Sequence, residues 1–148
     1  RIVESGRYLA SLKAKRGEST RLGTFDFLGF TFYCGRTTKG NPWIMPKTSS
    51  KKFRQKVKEI KIWLYNNKEQ KLGKLMYMLN VKLVGHYRYY GISFNSRMIS
   101  NYKQQVRELL YKVLNRRSEK KSYTREGFIE MMKYYKLVNP KIYYSLFC

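Results

Sequence analysis

A catalytic centre needs acids, histidines or cysteines brought together, and this chain has few to bring. Asp26 is its single aspartate and the other acids are eight scattered glutamates. No acidic pair lies in a strand or turn able to build the converging carboxylates that two-metal phosphoryl or nucleotidyl transfer requires. His86 is the one histidine, with no Cys, second His or acid near it in sequence, which leaves a zinc site or a nucleophilic triad without parts. It reads instead as a polar helix histidine, close to RNA or packed against a tyrosine. Cys34 and Cys148 are too far apart and too few for a metal cluster or disulfide framework, and they suit a reducing, cytoplasmic setting. Phosphate-cradling glycine patterns of the P-loop or Rossmann kind do not occur. The sequence therefore predicts no catalytic residue, no metal site, no cofactor and no small-molecule ligand in these residues.

What the chain does have is binding chemistry. Lys and Arg number 32 against 9 Asp and Glu, a formal charge of +23, too lopsided for self-neutralising surface pairs. A polyanion is the expected partner, and the lack of a run of about 18 apolar residues sets membrane aside. The stretch "GHYRYYGISFNSR", Gly85 to Arg97, interleaves aromatics with Arg88 and Arg97. Rings stack on exposed bases while arginine grips phosphate. At helical spacing Tyr87 and Tyr90 belong to the core, which leaves Arg88 and Tyr89 for the surface. Lys51, Lys52, Arg54 and Lys56, and further on Lys103, Arg107 and Arg116, fall on the outer faces of two helices with scarce acidic neighbours. These, with Arg88, Tyr89 and Arg97, are the candidate RNA-binding residues.

The elements that must position them follow from periodicity. With 43% hydrophobic and 16% aromatic residues the chain can bury a core. Up to about Ser50 it is aromatic and β-branched: "FTFYCGRT" and "NPWIMPKT" flank "TKGN" as a hairpin, with Pro42 and Pro46 demoting the second run to an irregular or edge strand. After "KTSS", whose hydroxyls can cap a helix, the period changes to about 3.6. One helix buries Phe53, Val57, Ile60 and Leu64. A second, from about Lys71 to the stop at Gly91, buries Leu72, Leu75, Met76, Leu79, Leu83, Tyr87 and Tyr90. A third, from about Asn95 to Arg117, buries Ile99, Tyr102, Val106, Leu110, Val113 and Leu114. Thr124 caps a short fourth through Phe128, Met131, Met132 and Tyr135. The expected fold is α+β and mainly α: a short N-terminal β-hairpin followed by a small antiparallel helical bundle.

These residues also carry a resemblance. "FDFLGFTF", Phe25 to Phe32, resembles the last block of group II intron reverse transcriptases, at the junction of palm and thumb. "IVESGR", Ile2 to Arg7, resembles the "EFGR" segment near the primer grip, with Ser5 in place of the aromatic. "KTSSKKFRQKVKEI" is similar to the start of that family's thumb, and "KLVGHYRYYGISFNSR" to the signature of its maturase-specific domain. "NPKIYYSLF" matches the family's ending. The resemblance implies a palm edge over residues 1–49, thumb helices over 50–94 and the remainder of the maturase domain over 95–148. It implies that Phe25, Phe27, Leu28, Gly29 and Phe30 form a palm–thumb hinge, Phe27 and Phe30 buried in it and Gly29 permitting a tight turn, while Asp26 faces solvent. The catalytic aspartates, and the Mg²⁺ they hold, would belong to a palm preceding Arg1, so that the fragment alone is inactive. Its partners would be group II intron RNA, to promote splicing, and a template–primer duplex. Two other readings share parts of the pattern: a non-enzymatic basic RNA-binding or ribosome-associated protein, and the thumb of another reverse transcriptase lineage.

Overall fold

The computed structural model describes residues 23–116 and 123–146; the "IVESGR" segment lies outside them. Strands β1 (Phe25–Phe27), β2 (Phe30–Arg36) and β3 (Pro42–Thr48) form one antiparallel sheet in the order β1-β2-β3. Phe27 pairs with Phe30 across a two-residue turn, Leu28 and Gly29, whose φ values are 53° and 85°. Positive φ at both central residues matches the right-handed strand twist. Glycine adopts it freely, whereas for Leu28 it costs about 1–2 kcal/mol. The Tyr89 hydroxyl donates to the Leu28 carbonyl at 2.6 Å and holds it there. In the second hairpin Arg36 pairs with Pro42, and β3 is a regular edge strand rather than an irregular one. The reason lies in parity. Residues 42, 44, 46 and 48 direct their nitrogens to the same side, and that of Thr48 bonds outside the sheet, to Asn95 Oδ1 at 2.8 Å. The two prolines lack their N–H only where no ladder needs it.

Four helices follow among the described residues: α1 (Ser50–Asn67), α2 (Leu72–Tyr90), α3 (Ser96–Leu114) and α4 (Arg125–Tyr134). The Ser49 hydroxyl accepts from Lys52 N and the Thr124 hydroxyl from Gly127 N, so both expected hydroxyl caps form. The predicted stripes face inward, with Leu64, Leu75, Leu79, Leu83, Val106, Leu110, Val113 and Leu114 fully buried and Phe53 and Val57 half-buried against them. Lys56 and Trp63 of α1 meet His86 and Lys82 of α2 respectively, so these two helices run antiparallel. Phe53 meets Tyr102 and Tyr65 meets Arg116, so α3 runs alongside α1 in the same direction.

Gly91 ends α2 for a reason other than the left-handed cap its type suggests. Its φ is −78°. A Cβ there would run into the carbonyl oxygens of Tyr87 and Lys141, so what Gly91 supplies is space for the C-terminal segment. That segment crosses α2 and is pinned along its length. The Asn80 side chain brackets Lys136 O and Val138 N, the Tyr87 hydroxyl donates to Val138 O at 3.0 Å, and the Gly91 carbonyl accepts from Tyr143 N and Tyr144 N.

Sheet and helices join at Asn95. It is fully buried, its Oδ1 accepts from Thr48 N, and its Nδ2 donates to Thr48 Oγ1 and to Tyr90 O, all at 2.8 Å. Beside it Phe30 packs on Tyr89 and Tyr90, with ring centroids 5.9 and 5.3 Å away. The expected burial of the aromatic knot holds for Phe30 alone. Phe25 stacks on Phe32 across the strands yet is 37% exposed, and Phe27 and Leu28 are 59% and 66% exposed. β1 is the outer strand, and its side chains and turn tip lie beyond the helical residues that cover Phe30. Asp26 is exposed as expected, and accepts a hydrogen bond from Thr31 directly opposite.

In urea unfolding, Phe30→Ala should cost about 3–5 kcal/mol, as large aromatic truncations in a core do. Phe27→Ala should cost less than about 1 kcal/mol; equal losses at both positions would contradict this placement. Asn95→Ala strands the buried Thr48 N–H, while the Tyr90 carbonyl keeps its bond from Ile92 N, and should cost about 1–3 kcal/mol.

Candidate nucleic-acid interface

The period of α1 that buries Ile60 and Leu64 also sets Lys52, Lys56, Glu59 and Trp63 along its side. The period of α2 that buries Tyr87 and Leu83 likewise turns Lys82, His86, Tyr89 and Tyr90 toward them. Between the two helices lies a cleft of about 440 Å³, closed at the back by Tyr102 of α3. Its walls are ring on ring. His86 stacks on Tyr102 at 3.6 Å between centroids with 9° between planes, and lies 4.6 Å from Tyr90. The Lys82 ammonium sits 5.0 Å from the centre of Trp63.

Burial sets the charge states inside. His86 is 8% exposed, and desolvation, helped by the Lys56 ammonium, lowers its pKa to about 4, so the imidazole is neutral at pH 7. Its Nε2 is buried with no hydrogen-bond partner. Desolvation likewise raises the phenols of Tyr87, Tyr90 and Tyr102 above the usual tyrosine range. Glu59 is lowered, chiefly by a hydrogen bond from Gln55 and then by Lys56, which it meets at 3.3 Å. Three lysines therefore surround one already paired glutamate. Gly85 forms part of the same wall, and a Cβ there would meet nothing within 4 Å. Glycine inside a helix costs about 1 kcal/mol relative to alanine, and no close packing accounts for it here.

The predicted contact residues fall into separate patches. Lys52, Lys56 and Tyr89 share the cleft, and Lys51 and Arg54 are exposed on the same helix. Lys103 and Arg107 line a second, shallower depression with Lys133 and Lys136 of the C-terminal region, where Lys103 Nζ reaches Asn139 Oδ1 at 2.7 Å. Arg88 is exposed over the Tyr143 ring and Arg116 over Tyr65, and Arg97 is exposed at the start of α3. Tyr89 is less free than its sequence position implied. It is 53% exposed, but its ring stacks on Phe30 and its hydroxyl is committed to Leu28. Sequence reasoning passed over Trp63, Lys82, Lys133 and Lys136. Lys82 was legible four residues before His86 on one helical face; Lys133 of α4 and Lys136 just beyond it come near α3 only through the packing of α4 and the chain that follows it. Among the described residues no cluster of three His, Cys, Asp or Glu could hold a metal, and no helix is long and apolar enough to cross a membrane.

A three-stranded sheet thus leads into a basic helical bundle with an aromatic core, and the comparison with known families gives this architecture its class. Residues 50–135 match the family described as "Group II intron, maturase-specific domain". The chain belongs to that family and is a group II intron maturase-like protein. No curated protein and no solved structure matches it.

The state of His86 gives a pH signature. Above about pH 6.5 the imidazole is neutral in both folded and unfolded chains; below it the unfolded chain takes up a proton that the folded one refuses until about pH 4. Stability should therefore fall with pH across that window, by about 2 kcal/mol between pH 7 and 5. Urea unfolding at several pH values checks this, and His86→Phe should flatten the slope above pH 5. Parallel slopes in the two proteins would show that the imidazole titrates normally.

Proposed function

We propose that this chain binds structured group II intron RNA to promote splicing and holds a template–primer duplex, as the thumb and maturase-domain part of an intron-encoded reverse transcriptase. The observation that carries the reading is the coincidence of the family match, residues 50–135, with helix faces whose cations outnumber their acidic partners. Lys51, Lys52, Arg54 and Lys56 share α1 with one glutamate, Glu59, and Lys103 and Arg107 of α3 meet Lys133 and Lys136. Phosphate contacts from such faces supply affinity, and the fixed geometry of the bundle supplies selection of shape. In this reading Phe25, Phe27, Leu28, Gly29 and Phe30 are the hinge to a palm domain. The exposed Phe27 and Leu28 would pack on that palm, while Phe30 holds the thumb side. Polymerisation, with its aspartates and Mg²⁺, belongs to the palm; these residues act by binding, in the cytoplasm.

Fluorescence anisotropy on a folded group II intron RNA, beside a denatured control of equal length, tests the reading. Log affinity should fall linearly with log salt, and Arg54→Gln and Arg107→Gln should each flatten the slope by roughly 0.7–0.9. The intron RNA should bind more tightly than the control at every salt concentration. Equal binding of both would leave charge alone at work and favour a general basic RNA-binding protein.

A further inference from the structure

The cleft between α1 and α2 has features that phosphate binding does not use. A surface that only neutralises phosphates needs lysines; it does not need stacked rings, a buried unpaired nitrogen and a helical glycine beside it. His86 Nε2 has no partner although the residue is 8% exposed, and buried polar atoms in folded proteins are nearly always paired. The ring carrying that nitrogen lines an aromatic cleft of about 440 Å³, within the size range of small-ligand sites. Gly85 leaves the wall beside it open. Lys52, Lys56 and Lys82 stand at the rim.

Resting on the RNA-binding reading above, the geometry points to a site for one unstacked nucleotide of the bound RNA, its base against the aromatic wall with its polar edge toward the His86 imidazole and its phosphates on the rim lysines. Each requirement has its counterpart. A base extruded from a helix loses stacking, and aromatic walls restore it. A neutral imidazole nitrogen offers either a lone pair or an N–H, and base edges present both complements. Fully paired RNA keeps its bases in the stack and cannot enter, so the site converts a general affinity for phosphate into recognition of bulges, loops or ends.

The test uses the 148-residue chain and two short RNA hairpins, alike except that one carries a single bulged adenosine, with AMP and inorganic phosphate as free probes. His86 is the only histidine, so its imidazole NMR signals need no assignment. The bulged hairpin should shift them strongly and the paired hairpin should not, and the bulged hairpin should bind about tenfold more tightly. His86→Phe, which keeps a ring in the stack, should abolish that difference without changing the salt slope. Gly85→Leu should do the same by filling space, and its fold is protected by the open surroundings of that position. Equal binding of the two hairpins by the unmodified chain, or silent histidine signals, overturns the nucleotide site and leaves the phosphate reading intact. AMP binding as tightly as the bulged hairpin overturns the assignment to RNA in favour of a free nucleotide. Salt-independent, weak binding of both hairpins overturns the nucleotide site and the RNA-binding reading together.

Discussion

Three strands and a helical bundle are held in one arrangement by the side chain of Asn95. A carboxamide has both donors and acceptor on one planar group, and here it bridges two elements: the acceptor and one donor bond are spent on Thr48 of the last strand, the other donor bond on the Tyr90 carbonyl at the end of α2. The position is constrained from both sides. Thr48 lies at the free edge of β3, where its N–H has no strand partner, and one residue later Ser49 caps α1 and donates its own N–H to Gly29 O. The end of the sheet, the start of α1, the end of α2 and the start of α3 thus meet within a few residues. A buried amide satisfied in this way specifies one geometry, because any shift of sheet against bundle strands polar groups away from water.

Around that junction α2 works as a two-sided clamp. Tyr87 and Tyr89 are two residues apart on a helix and so point to nearly opposite sides. One hydroxyl holds the C-terminal segment at Val138 and the other holds the N-terminal turn at Leu28. His86 and Tyr90, on a third side, stack toward α3. The run "HYRYYG" therefore reaches nearly every described element, and Arg88 is the residue in it left mainly to solvent. Its aromatics act as structure first, and His86, Tyr89 and Tyr90 also line the α1–α2 cleft.

Most of this organisation was legible in sequence because it is local. The inward stripes of α1, α2 and α3, the Ser49 and Thr124 caps, the hairpin around Gly40 and the change of period near Ser50 each depend on spacing within one element, and each appears as read. The family itself was legible in ordered motifs. What was not legible depends on residues far apart in the chain. Nothing near Phe27 says that α2 covers Phe30 and stops short of it. Gly91 looks like a left-handed cap until Lys141 arrives beside it. Tyr89 looks free until Leu28 does. The same holds for the candidate interface: the basic faces were visible as faces, but their division into one patch around His86 and another around Lys103 and Arg107 follows from helix packing and from the course of the C-terminal segment.

Charge and aromatic content answer each other in this chain. A formal charge of +23 on 148 residues repels itself in the folded state more than in the expanded one, and the ion pairs among the described residues, Lys56–Glu59, Glu108–Arg125 and Glu130–Lys133, are exposed and relieve little of it. Extra core area is the available counterweight, and tyrosine, phenylalanine and tryptophan supply the most area per residue. Tyrosine adds a hydroxyl that can tie down irregular backbone, which is how the turn at Leu28 and the segment at Val138 are fixed without further secondary structure. A polyanion bound to the basic faces removes the self-repulsion while leaving the core unchanged, so binding and folding stability are linked in the same direction. In the proposed RNA complex the surface that destabilises the free chain would be the surface that stabilises the bound one, and the aromatic core lets an excess of lysine and arginine remain an ordered shape in place of a disordered basic tail.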